Sequence, residues 1–210
     1  MITKRVFSDV ALPFTGQGSS LFVLENSKWL VVGVDSAYED HQLAGTQVAW
    51  LTSLIAGAQG KKVVLLSHHQ PFSLLDEQGP KLVTQLQPLL SAKQVFAWYW
   101  GHEHRCVLYE KRADWNLWGR CIGHGGFPQF RDQIGNVPAQ AIPNGLNWKL
   151  LPETPLSPGG RLLDGPNLNI PEYGNEYGPH GFLTLGLRSD YIQEFVHDAD
   201  GTVLTENTLR

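Results

Sequence analysis

The chain has 210 residues, 42% hydrophobic and 17% charged, enough for one sizeable domain with a core of its own. Its formal net charge of -4, with no basic block, argues against a nucleic-acid partner held by phosphate neutralisation. No apolar run is long enough to span a bilayer, and no sustained apolar segment follows the basic residues of "MITKRVFSDVALPF". Neither a membrane anchor nor a secretory signal is therefore read there, and a cytoplasmic location is the expectation.

In chain order, "SSLFVLENSKWLVVGVDS" gives two apolar runs around Glu25-Asn26-Ser27-Lys28, which predicts a hairpin ending near Asp35. "AYEDHQLAG" is polar and turn-like. From Thr46 the period changes: Val48, Leu51, Leu54 and Ile55 recur at helical spacing, and Gly57 and Gly60 stop the helix. "KKVVLLSHH" is a short, continuous apolar run, the pattern of a strand covered on both faces. Pro80 opens a second helix carrying Leu82, Val83, Leu86, Leu89 and Leu90. Pro88 is expected to kink or shorten it. "QVFAWYW", "RCVLYEKR" and "NLWGRCIG" follow as strands. The order strand–helix–strand–helix–strand predicts an α/β architecture with antiparallel additions.

From about 125 to 179 the composition shifts. Nine of the thirteen prolines fall there, no period is visible, and the segment reads as a long loop wrapped on the domain. Trp148, Leu150, Leu151 and Tyr173 are its candidate anchors. "GFLTLGLR", "YIQEFVHD" and "GTVLTENTL" then read as three strands, with "DADG" as the last turn. Cys106 and Cys121 are too few for a disulfide framework and are expected to be free thiols.

Chemistry concentrates where strands end, the place where open α/β sheets gather ligands. His68 and His69 close one strand, His102 and His104 follow another in "WYWGHEHRC", and His124 follows a third in "CIGHGGFP". Neutral imidazole is the commonest side-chain metal ligand. Two such clusters at buried strand ends point to a metal centre, with Gly101 permitting the turn that aims both rings of "GHEH" inward. His41, His180 and His197 read as surface residues. "HEHRC" is not HExxH, and neither a P-loop nor a GxSxG elbow occurs.

"VVLLSHHQPF", a helix, "FAWYWGHEHRCVLY" and "CIGHGGFP" together resemble the later part of the calcineurin-like metallophosphoesterases. "LENSKWLVVGVDSAYED" and the closing strands extend the resemblance. It implies the C-terminal portion of a four-layer α/β/β/α sandwich, with 1–210 as a single partial domain. It also implies a metal-dependent phosphoester hydrolase whose intact site holds two divalent ions, manganese, iron or zinc. Carried over by motif, His68, His102 and His104 are the implied metal ligands, while His69 and His124 are candidates for supporting or substrate-binding roles.

The resemblance stops at the carboxylates. Asp-x-His, Gly-Asp-x-x-Asp and Gly-Asn-His-Asp/Glu, which supply them in that family, are all absent here. Neutral imidazoles cannot offset the repulsion of two close dications, so at most one weakly held ion and little or no activity are expected of this chain. A half-domain would also leave an apolar sheet face and unpaired edges, which a segment supplying the N-terminal half would cover. The substrate is a phosphoester of unspecified class. Two further readings stand beside this one. The first is a non-catalytic interaction module of the same fold. The second is a mononuclear hydrolase that adds a carboxylate from Asp35, Glu39 or Asp40 to the three imidazoles.

Overall fold

The computed structural model describes residues 19–36, 41–77, 80–131 and 134–210. A hairpin opens it, β1 (Phe22–Glu25) pairing antiparallel with β2 (Trp29–Gly33). Its turn is set by Asn26, whose Oδ1 accepts the backbone N–H groups of Lys28 and Trp29. Two helix–strand units of the expected kind follow: α1 (Gln47–Ala56), β3 (Lys62–Ser67), α2 (Pro80–Ser91) and β4 (Ala97–Trp100). Strands β2, β3 and β4 run parallel and adjacent. β6 (Leu117–Ile122) continues the parallel set on β4, and β5 (Cys106–Arg112) pairs antiparallel with β6.

Pro88 lies inside α2, which continues to Ser91 and is not shortened there as the sequence led us to expect. The residue sits on the exposed side of the helix, as does Thr84 one turn back. The carbonyl that loses its partner therefore faces water, which can satisfy it.

The proline-rich segment is not a loop throughout. It contains β7 (Ala139–Ala141), β8 (Asn147–Leu151) and β9 (Gly160–Asp164), with β9 joining β5 and the other two completing the sheet edge. Each strand is five residues or fewer, too short for an alternation to show between the surrounding prolines. Trp148 and Leu151 anchor the segment in the core, whereas Leu150 and Tyr173 are exposed. The result is a nine-stranded mixed sheet in the order β1-β2-β3-β4-β6-β5-β9-β8-β7. The closing strands β10 (Gly181–Leu187), β11 (Ile192–Asp198) and β12 (Val203–Leu209) form a separate antiparallel sheet.

Side-chain alternation explains the layers. On β3, Val63 and Leu65 face α1 and α2, while Val64 faces the three-stranded sheet. On β4, Trp98 and Trp100 face the helices, while Ala97 and Tyr99 face Ile192 and Leu209. A strand buried on both faces has no polar position to spare, which is why these segments read as unbroken apolar runs. The described residues thus form helices, a large sheet and a small sheet in three layers, consistent with the C-terminal part of a phosphoesterase sandwich.

One ion pair crosses between the sheets. Arg120 on β6 donates through Nε to both carboxylate oxygens of Glu194 on β11, each at 3.0 Å, and both side chains are buried. Tyr99 donates its hydroxyl to the same carboxylate at 2.7 Å, and the Arg120 Nη1 group is held by the Tyr109 and Gly119 carbonyls. Burial and the neighbouring Glu194 charge push the Tyr99 phenol well above its ordinary value, so it stays a donor. Glu194→Ala leaves a buried guanidinium without its anion and is expected to lower unfolding free energy by about 3–5 kcal/mol. The double variant Arg120→Met/Glu194→Leu should lose clearly less, and urea denaturation of both variants checks the order.

Candidate metal centre

Parallel strands pointing the same way deliver their following turns to one edge of the sheet. The turns after β2, β3, β4 and β6 carry His41, His68 and His69, His102 and His104, and His124. Each turn is held by local chemistry. The backbone N–H groups of Gly101 and His102 both donate to the His68 carbonyl, at 3.1 and 2.8 Å, tying the "GHEH" turn to the end of β3. Gly123 passes so close that a Cβ there would lie 1.7 Å from the Gly101 carbonyl oxygen, so only glycine lets the ends of β4 and β6 meet. Glu103, buried between the two histidines of the turn, accepts Ser73 Oγ–H at 2.6 Å and Trp100 Nε1–H at 2.7 Å. Burial raises its carboxyl above the usual range, and those two hydrogen bonds oppose the rise.

On the β2 side, Ser36 bridges to Leu43 and is buried. Gln85 of α2 clamps Leu43 by donating to its carbonyl and accepting its N–H, both at 2.9 Å. This brings His41, with φ of 49°, over the ends of β3 and β4. The rings of His41 and His69 stack at 4.0 Å, and both approach His102, at 5.3 and 4.5 Å. Among the described residues, these three histidines form a group whose donor atoms all lie within 4.8 Å of one another, and no carboxylate joins it.

His69 is fully buried. Its Nδ1 pairs with Ser36 Oγ at 2.6 Å, and its Nε2 has no hydrogen-bond partner among the described residues. His68 is exposed and meets Nδ1 of His102 through Nε2 at 3.0 Å, so one of the two rings carries the shared proton. Burial first, then the neighbouring imidazoles, push His69 down to about 4 and lower His68 and His102 as well. Those shifts favour the neutral form of His68, His69 and His102, the protonation state a cation requires of an imidazole ligand.

The residues singled out from sequence divide accordingly. His68 and His102 are in contact. His104, at φ 52°, sets its ring 5.7 Å from that of Phe127 and is not in the three-donor group. His69, given a supporting role from sequence, is in that group, and so is His41, read from sequence as a surface residue. The available signal for His41 was positional: its turn follows a strand parallel to and beside β3. Asp35 accepts Ser20 Oγ–H at 2.6 Å and is outside the donor group; Glu39 and Asp40 lie outside the described residues. Cys106 and Cys121 are free thiols, both buried.

His124 stands apart. It is buried with neither ring nitrogen hydrogen-bonded among the described residues, and its carbonyl accepts Gly181 N–H at 3.2 Å where β10 begins. His180, just before that strand, also has a buried Nε2 with no partner among the described residues, while His197 stacks on Phe182 at 4.6 Å on the small sheet.

Two packed sheets with helices on one side make a mixed α/β sandwich, with imidazoles gathered at the carboxyl ends of its parallel strands, consistent with the C-terminal part of a phosphoesterase sandwich. The particular likenesses agree with that class. The chain is 34% identical over 145 residues to the human (Homo sapiens) tartrate-resistant acid phosphatase type 5, covering 64% of this chain and 42% of that protein. It is 42% identical over 64 residues to the pig (Sus scrofa) counterpart, 30% of this chain and 18% of that one, and 35% identical over 111 residues to the rat (Rattus norvegicus) protein, 50% and 31%. The chain therefore spans less than half the length of these relatives. Among solved structures it is similar to the one titled "GAP50 the anchor in the inner membrane complex of Plasmodium", with a TM-score of 0.53 and 14% identity over 90% of this chain and 53% of that one, which speaks for the fold alone. No protein-family model matches the chain. Among the described residues, no helix is long and apolar enough to cross a membrane.

Burial lowers His124 from 6.5 to about 4. Between those values the unfolded chain takes up a proton that the folded chain refuses, so stability falls as pH drops from about 6.5 toward 4 and is full above that window. The span corresponds to about 3 kcal/mol. Urea midpoints measured from pH 7.5 to 4.5 should decline steeply for the wild type and less steeply for His124→Leu.

Proposed function

We propose that this chain is the C-terminal part of a metal-dependent phosphoester hydrolase, with little or no turnover by itself. The observation that carries the reading is the convergence of three imidazoles with no carboxylate in their donor group among the described residues, in a chain similar to an acid phosphatase over 64% of its length. A divalent ion at such a centre supplies a Lewis acid for a phosphoryl oxygen and lowers the pKa of a water. What the chain's own residues do is hold the donors. Ser36 fixes the His69 ring, the His68 carbonyl fixes the "GHEH" turn, and Gln85 fixes the turn bearing His41.

Two dications about 4 Å apart repel by on the order of 15 kcal/mol at an effective dielectric of 20. Carboxylates offset that repulsion in binuclear sites; neutral imidazoles cannot. In this reading one ion is the ceiling for the chain alone, and the bridging carboxylate comes from a segment outside it. The small sheet gives that segment a place to dock, because Phe182, Leu185 and Val203 are exposed on β10 and β12 and both of those strands are sheet edges. The same surface favours the second reading, a non-catalytic interaction module.

Chelator-stripped chain, reloaded with manganese, iron or zinc, should retain no more than one ion and hydrolyse p-nitrophenyl phosphate no faster than buffer with the same ion. Two tightly bound ions per chain, or sustained turnover by the chain alone, would overturn the proposal.

A further inference from the structure

We infer that His41, His69 and His102 are together the ligands of a single late first-row ion, with zinc as the representative, and that this site discriminates against manganese and magnesium. The inference rests on the metal-dependent reading above and narrows it, by adding His41, which no family motif supplies, and by choosing among the metals that reading allows.

Geometry selects these three rings. A tetrahedral zinc with Zn–N bonds of 2.0–2.1 Å spaces its nitrogens ~3.3 Å apart. The donor atoms of His41, His69 and His102 already lie within 4.8 Å of one another, so small ring rotations close the site. His69 brings an independent sign of a ligand: a fully buried Nε2 with no hydrogen-bond partner among the described residues, on a ring whose other nitrogen is held by Ser36. Leaving a buried polar atom unpaired is unfavourable, and an ion in the cluster removes that penalty. Ser36 then plays the part of the oxygen that orients a ligating imidazole. His68 does the same for His102 through the 3.0 Å contact, which uses one nitrogen of each ring and leaves His102 its other one. His104 turns toward Phe127 and stays out of the set.

The chemistry of the donors selects the ion. Manganese and magnesium call for oxygen ligands, and affinity for nitrogen donors rises along the first row toward copper and zinc. Among the described residues the donor group is all imidazole, and three imidazoles with one open position are a zinc-type arrangement, in which water takes the fourth place. Because the three ligands arrive from the ends of β2, β3 and β4, the site exists only when those strands are paired, and zinc should raise the unfolding temperature of the chain.

The test is a competition titration of chelator-stripped chain with zinc and with manganese, alongside cobalt substitution read by visible absorption. One zinc per chain is expected, with manganese at least ~100-fold weaker and a cobalt spectrum of low coordination number. His41→Ala should weaken zinc by at least ~100-fold, beyond the ~10–100-fold typical of residues that merely orient ligands, the range expected for Ser36→Ala. His104→Asn, chosen because asparagine tolerates positive φ, should lose less than His41→Ala. X-ray absorption on zinc-loaded wild-type chain needs no variant and should count at least three imidazoles. Equal affinity for manganese and zinc, a His104→Asn loss matching that of His41→Ala, or fewer than three imidazoles on zinc would each overturn the inference. Orthophosphate binding to the zinc-loaded chain reports separately on the phosphoester reading. A zinc site with this ligand set that ignores phosphate would sink that reading and leave the ligand assignment standing.

Discussion

Parallel pairing of β2, β3 and β4 is the constraint on which the rest depends. Because the three strands point one way, their following turns must emerge along one edge, whatever those turns contain. The histidines meet there because the hydrogen-bond register leaves them nowhere else to go. Burial of the strands on both faces fixes that register. A slip by one residue would drive Val64 and Tyr99 into the helices and Leu65 and Trp98 into the small sheet.

Electrostatics decides what the gathered rings can do. Burial and mutual repulsion push His68, His69 and His102 toward the neutral form, which suits a cation in their midst. The same physics runs in the opposite direction between the sheets. There Arg120 and Glu194 form an ion pair with both side chains buried and hydrogen-bonded, so each offsets the other in a place where either alone would be costly. The molecule separates its polar chemistry into a sealed, balanced pair in the interior and an unbalanced nitrogen cluster at the rim.

Much of this was legible in the sequence. The hairpin, both helices and the strands ending at Ser67, Trp100 and Ile122 follow from period and punctuation, and so do the three closing strands. The part carried by β7, β8 and β9 was not legible, because strands of three to five residues between prolines show no period and are defined by partners far away in the chain. At the site, local motif spacing pointed to His68, His102 and His104. The contribution of His41 depends on Gln85 in a helix 44 residues further on, a tertiary fact with no local signature. The near contact of Gly123 with Gly101 is likewise invisible until two strand ends are laid side by side.

The two cysteines gain a use from where they sit. Cys121 belongs to the core beneath the helices, and Cys106 to the core beneath the small sheet. Burial suppresses the reactivity of both thiols, pushing Cys106 up to about 12 and Cys121 well above its ordinary value. Alkylation of one or the other therefore reports which layer has lifted from the central sheet, a native pair of gauges for local breathing that needs no introduced label.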